Sequence, residues 1–196
     1  RQGVPIGEIK LRAFGEANVR LNALFSDSVD ATMLSYEQVK RAQAKGYRLL
    51  AYSGDHISSL SPALCTTDAR IKESPDEVHR VVRATLKGQL FWYRNPETIK
   101  FLMEGLALTD EAEARDIWEE RTRRASEIAQ SGRATEEAML TNIERVKEQI
   151  KMGGAQPKGK DLTLDQVYDF SFVKRAYEEL TAQKWDPLKY RYVKKS

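Results

Sequence analysis

The stretch VDATMLSYEQVKRAQAKGYRLLAYS, residues 29–53, predicts a strand, a helix and a second strand in succession. The short apolar run 31–34 forms the first strand and residues 47–52 form the second. The helix between them begins near Ser35 and ends at Gly46, a residue suited to the left-handed backbone just past a helix. Such a unit is nearly always a right-handed crossover between parallel strands. The stretch therefore predicts part of a parallel sheet.

Polar residues follow both predicted strands, where open parallel sheets bind their ligands. The predicted ligand-binding residues are Ser35, Tyr36 and Glu37 after the first strand, and Ser53, Asp55 and His56 after the second. Hydroxyl groups there suit an oxyanion, whereas the carboxylates of Glu37 and Asp55 suit an amine. Because these preferences are opposite, the residues predict a small-molecule site but leave its ligand open.

The neighbouring sequence extends the same alternation of strands and helices. Residues 9–14 alternate apolar and polar side chains as a strand does, residues 16–25 have helical spacing, and residues 63–67 read as one more short strand. This predicts an α/β region over residues 1–67. A helical section over 68–182 and a basic tail over 183–196 complete the predicted organisation.

Helix-start signals recur through the helical section. Ser74 is a predicted N-cap followed by Pro75 and Glu77, and similar starts occur near Asn95, Asp110, Thr135 and Thr163. The helix after Ser74 carries an apolar stripe formed by Val78, Val81, Val82, Leu86 and Leu90. The aromatic cluster at 91–93 is interpreted as packing rather than as a ligand-stacking platform.

Composition limits the classes of function. The 196 residues are 41% hydrophobic and 31% charged, with a net charge of +3, which fits a globular chain and argues against a dedicated nucleic-acid binder. No stretch approaches the roughly 20 apolar residues that cross a bilayer, so no membrane insertion of this chain is expected. No signal peptide is visible, and the chain lacks an initiating Met, so residue 1 is interpreted as a processed or truncated start.

The residues that usually carry catalysis or metals are scarce. Cys65 is the only cysteine and is expected to be a small buried side chain; His79 is expected at the surface. The two histidines are too far apart in sequence to predict a metal site, and no nucleophile motif is present. The segment GAQPKGK at 154–160 satisfies a P-loop pattern only formally, because Asp161 follows the lysine. No enzyme activity, catalytic residue, metal or cofactor is predicted.

Several segments, in order, resemble the NMT1/THI5-like group of periplasmic solute-binding proteins. They are residues 29–53, the strand at 64–67, KESPDEVHRVVRATLKGQLFWYRNPE at 72–97 and TLDQVYDFSFVKRAYEEL at 163–180. The resemblance implies a type II periplasmic-binding fold with a parallel-sheet lobe, followed here by a helical C-terminal section. It also implies that about half of the family's ligand cleft would come from sequence before residue 1.

The resemblance implies a function in import. The protein would be the periplasmic or extracytoplasmic solute-binding component of an ABC importer, capturing a small organic or oxyanionic ligand by lobe closure and docking on the importer's membrane subunits. The alternatives are a pyrimidine-synthase-like enzyme or a ligand-sensing domain of the same fold, and an interaction module without a small ligand. The absence of the synthases' cysteine-rich motif counts against the enzyme.

Overall fold

The computed structural model describes residues 6–56, 63–125, 127–152 and 163–193. The chain divides into two compact units, Arg1–Tyr52 and Ser53–Ser196. In chain order, helices α1 to α10 span Ala17–Phe25, Tyr36–Gln43, Asp68–Glu73, Pro75–Arg94, Thr98–Gly105, Glu111–Arg124, Glu127–Gln130, Glu136–Met152, Leu164–Val167 and Ser171–Ala182. Short 3-10 helices form at Ile6–Glu8, Ser53–Asp55 and Pro187–Lys189.

The predicted α/β fold is wrong for the described residues, which contain helices and loops but no strand. The segments predicted as strands, 9–14, 31–34, 47–52 and 63–67, lie outside the helices. The described residues therefore do not show the parallel-sheet lobe of a type II periplasmic-binding fold. The predicted three-part division at 1–67, 68–182 and 183–196 stays a prediction.

The first unit shows why the alternation of apolar and polar residues did not produce the predicted strands. An apolar alternation specifies a strand only when a neighbouring strand pairs with it and its apolar face is buried. Here Leu11, Met33 and Leu50 are 81%, 75% and 79% exposed. The carbonyl of Met33, which a ladder would use, instead accepts a hydrogen bond from Nε of Arg20 at 2.9 Å. These segments are loops, and the one that contains Met33 is bonded to α1 through the side chain of Arg20.

The core of the first unit is formed by α1 and α2, both close to their predicted positions. Leu21, Leu24 and Ala42 are buried together, and the hydroxyl of Tyr47 donates to the carbonyl of Leu24 at 3.1 Å. Gly46 has φ of +88°, so the predicted left-handed conformation after the helix is confirmed.

The helix starts predicted in the second unit are largely confirmed. Ser74 is the N-cap of α4 and Pro75 is its first residue, although the Ser74 side chain makes no capping bond. Asp110 caps α6 by accepting a hydrogen bond from the backbone N–H of Ala112 at 2.8 Å. Thr163 begins α9 with a capping box. Local sequence signals therefore fixed these boundaries.

The core of the second unit lies mainly between α4 and α10. Its members are aliphatic side chains with almost no solvent exposure. They are Leu86, Leu90, Val173, Ala176 and Leu180. Ile99 and Leu102 of α5, and Ala114 and Ile117 of α6, are also buried.

Three single-residue predictions in the second unit are wrong. Cys65 is exposed rather than buried. His79 is buried, with 6% exposure, whereas Val81 from the predicted apolar stripe is 47% exposed. The face of α4 that meets α10 contains His79, Leu86 and Leu90, which share one side because they are spaced by seven and four residues.

Three predicted features lie wholly or partly outside the described residues. The GAQPKGK segment and much of the polar loop after residue 56 lie outside the described residues, as do the last three residues of the basic tail.

Candidate functional site

The predicted site residues fall in both units. Ser35, Tyr36 and Glu37 belong to the first unit, and Ser53, Asp55 and His56 belong to the second. Whether they form one ligand site stays a prediction. Each group has a definite local geometry.

Ser35, Tyr36 and Glu37 form the start of α2. The backbone N–H and the hydroxyl of Ser35 both donate to Oε1 of Gln38, at 3.1 and 3.0 Å. Gln38 is buried and its amide donates to Oδ1 of Asn18 on α1 at 3.1 Å. The capping contact thus anchors the predicted ligand residues to the core of the unit.

The chemistry at the start of α2 is mixed. The first backbone N–H groups of a helix favour an anion, because they lack helical partners and the helix dipole is positive there. Glu37 adds a negative charge in the same turn, whereas the ammonium group of Lys40 lies 5.4 Å from the centre of the Tyr36 ring. Tyr36 is half-buried and offers both a ring and a hydroxyl. These groups offer an aromatic ring, a hydroxyl and both signs of charge within one turn of helix.

Ser53, Asp55 and His56 form a single exposed turn. The backbone N–H of His56 donates to the carbonyl of Ser53 at 3.1 Å, which closes the 3-10 helix. The carboxylate of Asp55 lies 3.6 Å from the guanidinium of Arg124 on α6. Because this cation already neutralises part of the charge, Asp55 is less suited to an amine ligand than the sequence alone indicates.

Sequence reasoning missed a polar cluster of the second unit in which three side chains contact Glu179. Nε2 of His79 lies 3.0 and 2.9 Å from the two carboxylate oxygens of Glu179. Arg83 and Arg175 lie 3.3 and 3.1 Å from the same carboxylate. The hydrogen bond with His79 is the main cause that holds the pKa of Glu179 below its ordinary value. The seven-residue spacing of His79 and Leu86 was the available signal that this histidine faces the core.

A second missed feature fixes the C-terminal segment. Asn95, with 1% exposure, donates from Nδ2 to the carbonyls of Pro187 and Tyr190, at 2.7 and 3.0 Å. Its Oδ1 accepts from the backbone N–H of Glu97 at 2.9 Å. No spacing rule in the sequence links residues so far apart, so this contact had no sequence signal.

The described residues contain neither a cluster of metal ligands nor a helix suited to span a membrane. There, no group of three or more His, Cys, Asp or Glu side chains is placed to hold a metal ion. Across the same residues, no helix has both the length and the apolar character that crossing a bilayer requires.

Comparison with known proteins gives one match. Residues 3–99 fit the family model described as NMT1/THI5 like, while no curated protein and no solved structure matches the chain. The match includes both groups of predicted site residues, but it stops before residues 163–180, which the predicted resemblance also used. Residues 3–99, just under half of the 196 residues, are therefore similar to the NMT1/THI5-like family, and the predicted resemblance is confirmed over this stretch.

Proposed function

We propose that this protein is the extracytoplasmic solute-binding component of an ABC importer and captures a small organic or oxyanionic ligand. The family match over residues 3–99 carries the proposal, because the NMT1/THI5-like family includes ABC solute-binding proteins. The family also includes pyrimidine synthases, which are the alternative. In the proposed role the protein performs no covalent chemistry and acts by reversible binding.

The proposed ligand contacts are Ser35, Tyr36, Glu37, Ser53, Asp55 and His56. The anchored start of α2 supports the first three, since a rigidly placed set of polar groups loses little conformational entropy on binding. Lobe closure around the ligand and docking on the importer's membrane subunits complete the proposal. A ligand-dependent decrease in the radius of gyration, measured by small-angle scattering, would support closure.

The first test is a thermal-shift screen of the full chain with sulfonates, nitrate, pyrimidines and aromatic acids. A concentration-dependent rise in melting temperature is expected for one class, since a ligand that binds only the folded state stabilises it. No response from any class contradicts the proposal. Turnover of a pyrimidine precursor, followed by product analysis, would instead favour the synthase.

The second test uses the residues at the start of α2. Tyr36→Ala is expected to lower ligand affinity, measured by calorimetry, with Tyr47→Phe in the same unit as a control outside the proposed site. Ser35→Ala is expected to weaken binding too, but it also removes a helix cap worth about 0.5–2 kcal/mol. Its melting temperature must therefore be measured alongside its affinity. Unchanged affinity in a variant that combines Ser35→Ala with Tyr36→Ala removes both residues from the site.

A further inference from the structure

The second unit has an open cavity beside α5 that the proposed function does not use. Its volume is about 320 Å³, which lies at the lower end of the range for small-molecule sites. It is lined by Phe101, Glu104 and Gly105 of α5, and by Tyr192 and Val193 of the C-terminal segment. Aromatic rings and one carboxylate are thus its distinctive groups.

Tyr192, which forms one wall of the cavity, is hydrogen-bonded to residues near both ends of α5. The backbone N–H of Tyr192 donates to Glu97 at 3.0 Å, and its hydroxyl donates to Glu104. The ring of Tyr192 meets that of Phe101 edge to face, with centroids 4.7 Å apart. Phe101 in turn meets Phe91 edge to face at 5.8 Å. The aromatic wall is therefore built before any ligand binds.

The charge of the cavity comes from Glu104. The nearest cation on the same helix, Lys100, is bonded to Glu97 at 3.0 Å. Arg191 donates to the backbone carbonyls of Leu188 and Tyr190. The hydrogen bond to Glu104 raises the pKa of Tyr192, so this hydroxyl stays a neutral donor near physiological pH. Among the lining residues that the structure describes, Glu104 is the single charged group.

From this arrangement, we propose that the cavity binds a small organic ammonium compound carrying an apolar or aromatic body. The carboxylate of Glu104 provides the opposite charge, and the faces of aromatic rings attract cations. The exposed ring of Phe101, 44% accessible, gives the apolar body a surface to cover. The inference is independent of the ligand site proposed at residues 35–37 and 53–56.

The experiment is an NMR titration of the isotope-labelled full chain with 2-phenylethylammonium chloride. Saturable shifts are expected at Phe101, Gly105 and Tyr192, with a dissociation constant on the order of a millimolar, as suits a small ligand in an open cavity. The neutral isostere 2-phenylethanol should bind about tenfold more weakly, since it lacks the charge.

Two variants locate the charge effect. Glu104→Gln keeps an acceptor for Tyr192 but removes the charge, and it should weaken 2-phenylethylammonium binding about tenfold. Glu119→Gln changes an exposed glutamate of α6 and should leave binding unchanged. Phe101→Leu should also weaken binding while keeping an apolar side chain.

Three results would overturn the proposal. They are shifts that map away from α5 and Tyr192, equal binding of the ammonium compound and the alcohol, or wild-type affinity in Glu104→Gln. Because Glu104 is exposed, its replacement is not expected to unfold the protein, and an unchanged amide spectrum without ligand checks this.

Discussion

Nε2 of His79 lies 2.9 Å from a carboxylate oxygen of Glu179, and this contact joins α4 to α10 within the second unit. His79 is buried, whereas the side chain of Glu179 is one-third exposed. Arg83 from α4 and Arg175 from α10 share the same carboxylate. Glu179 therefore contacts polar side chains of both helices at the α4–α10 interface.

The stability of the protein should depend on pH because of the carboxylate of Glu179 in this cluster. The pKa of Glu179 is lowered, chiefly by the hydrogen bond with His79, so its folded-state pKa lies below the ordinary 4.5. Its contribution to stability is therefore present above about pH 4.5 and is lost as the pH falls through the folded-state pKa. Glu179→Gln should melt at a lower temperature than wild type at pH 6 and lose less stability between pH 5 and pH 3.

The matched control is Glu178→Gln, which changes the exposed neighbouring glutamate of α10. Its melting curves should follow those of wild type at each pH. Identical curves for the two glutamine variants would show that the His79 contact contributes nothing.

Removal of the Asn95 side chain should destabilise the second unit. Asn95→Ala removes three hydrogen bonds of a buried side chain, two to backbone carbonyls and one from the N–H of Glu97, at a cost of about 2–4 kcal/mol. Urea unfolding measures the loss, and faster amide hydrogen exchange at Tyr192 would show the C-terminal segment loosening. Asn142→Ala, which removes one half-buried bond to the hydroxyl of Tyr168, should cost only about 0.5–1.5 kcal/mol. Equal costs for both variants would contradict the role assigned to Asn95.

Two glycine substitutions should have opposite signs. Gly46 has φ of +88° and nothing within 4 Å of an added Cβ, so Gly46→Ala should destabilise the first unit by about 1–2 kcal/mol through backbone strain alone. Gly88 lies inside α4 with equally open space, so Gly88→Ala should stabilise the second unit by about 0.5–1 kcal/mol. Chemical denaturation monitored separately for the two units distinguishes the effects. A stabilising Gly46→Ala would contradict the left-handed conformation.

Asp55 should matter for binding rather than for stability. Its contact with Arg124 is exposed, with side-chain accessibilities of 63% and 30%, and such surface pairs contribute about 0–1 kcal/mol. Asp55→Asn should therefore leave the urea midpoint nearly unchanged while altering affinity for the ligand found in the thermal-shift screen. A large loss of stability would indicate that Asp55 is structural and would remove it from the proposed site.

The local sequence determined where many helices begin and end. Pro75 after Ser74, Asp110 before α6 and Gly46 after α2 each act through the backbone of their own turn, so their effect is independent of distant residues. The likeness of residues 3–99 to the family model was also evident from the sequence, because it rests on the order of short segments along the chain and not on their packing.

Tertiary structure alone decided whether the alternating segments became a sheet. A strand exists only when another strand supplies its hydrogen bonds, and no local pattern can guarantee that partner. In the first unit Arg20 bonds to the carbonyl of Met33, and Leu11 and Leu50 remain exposed. The sequence likewise did not predict the partners of His79 and Asn95, since each contact joins residues about 90 to 100 positions apart. Short-range chemistry was therefore readable from the sequence, and long-range pairing was not.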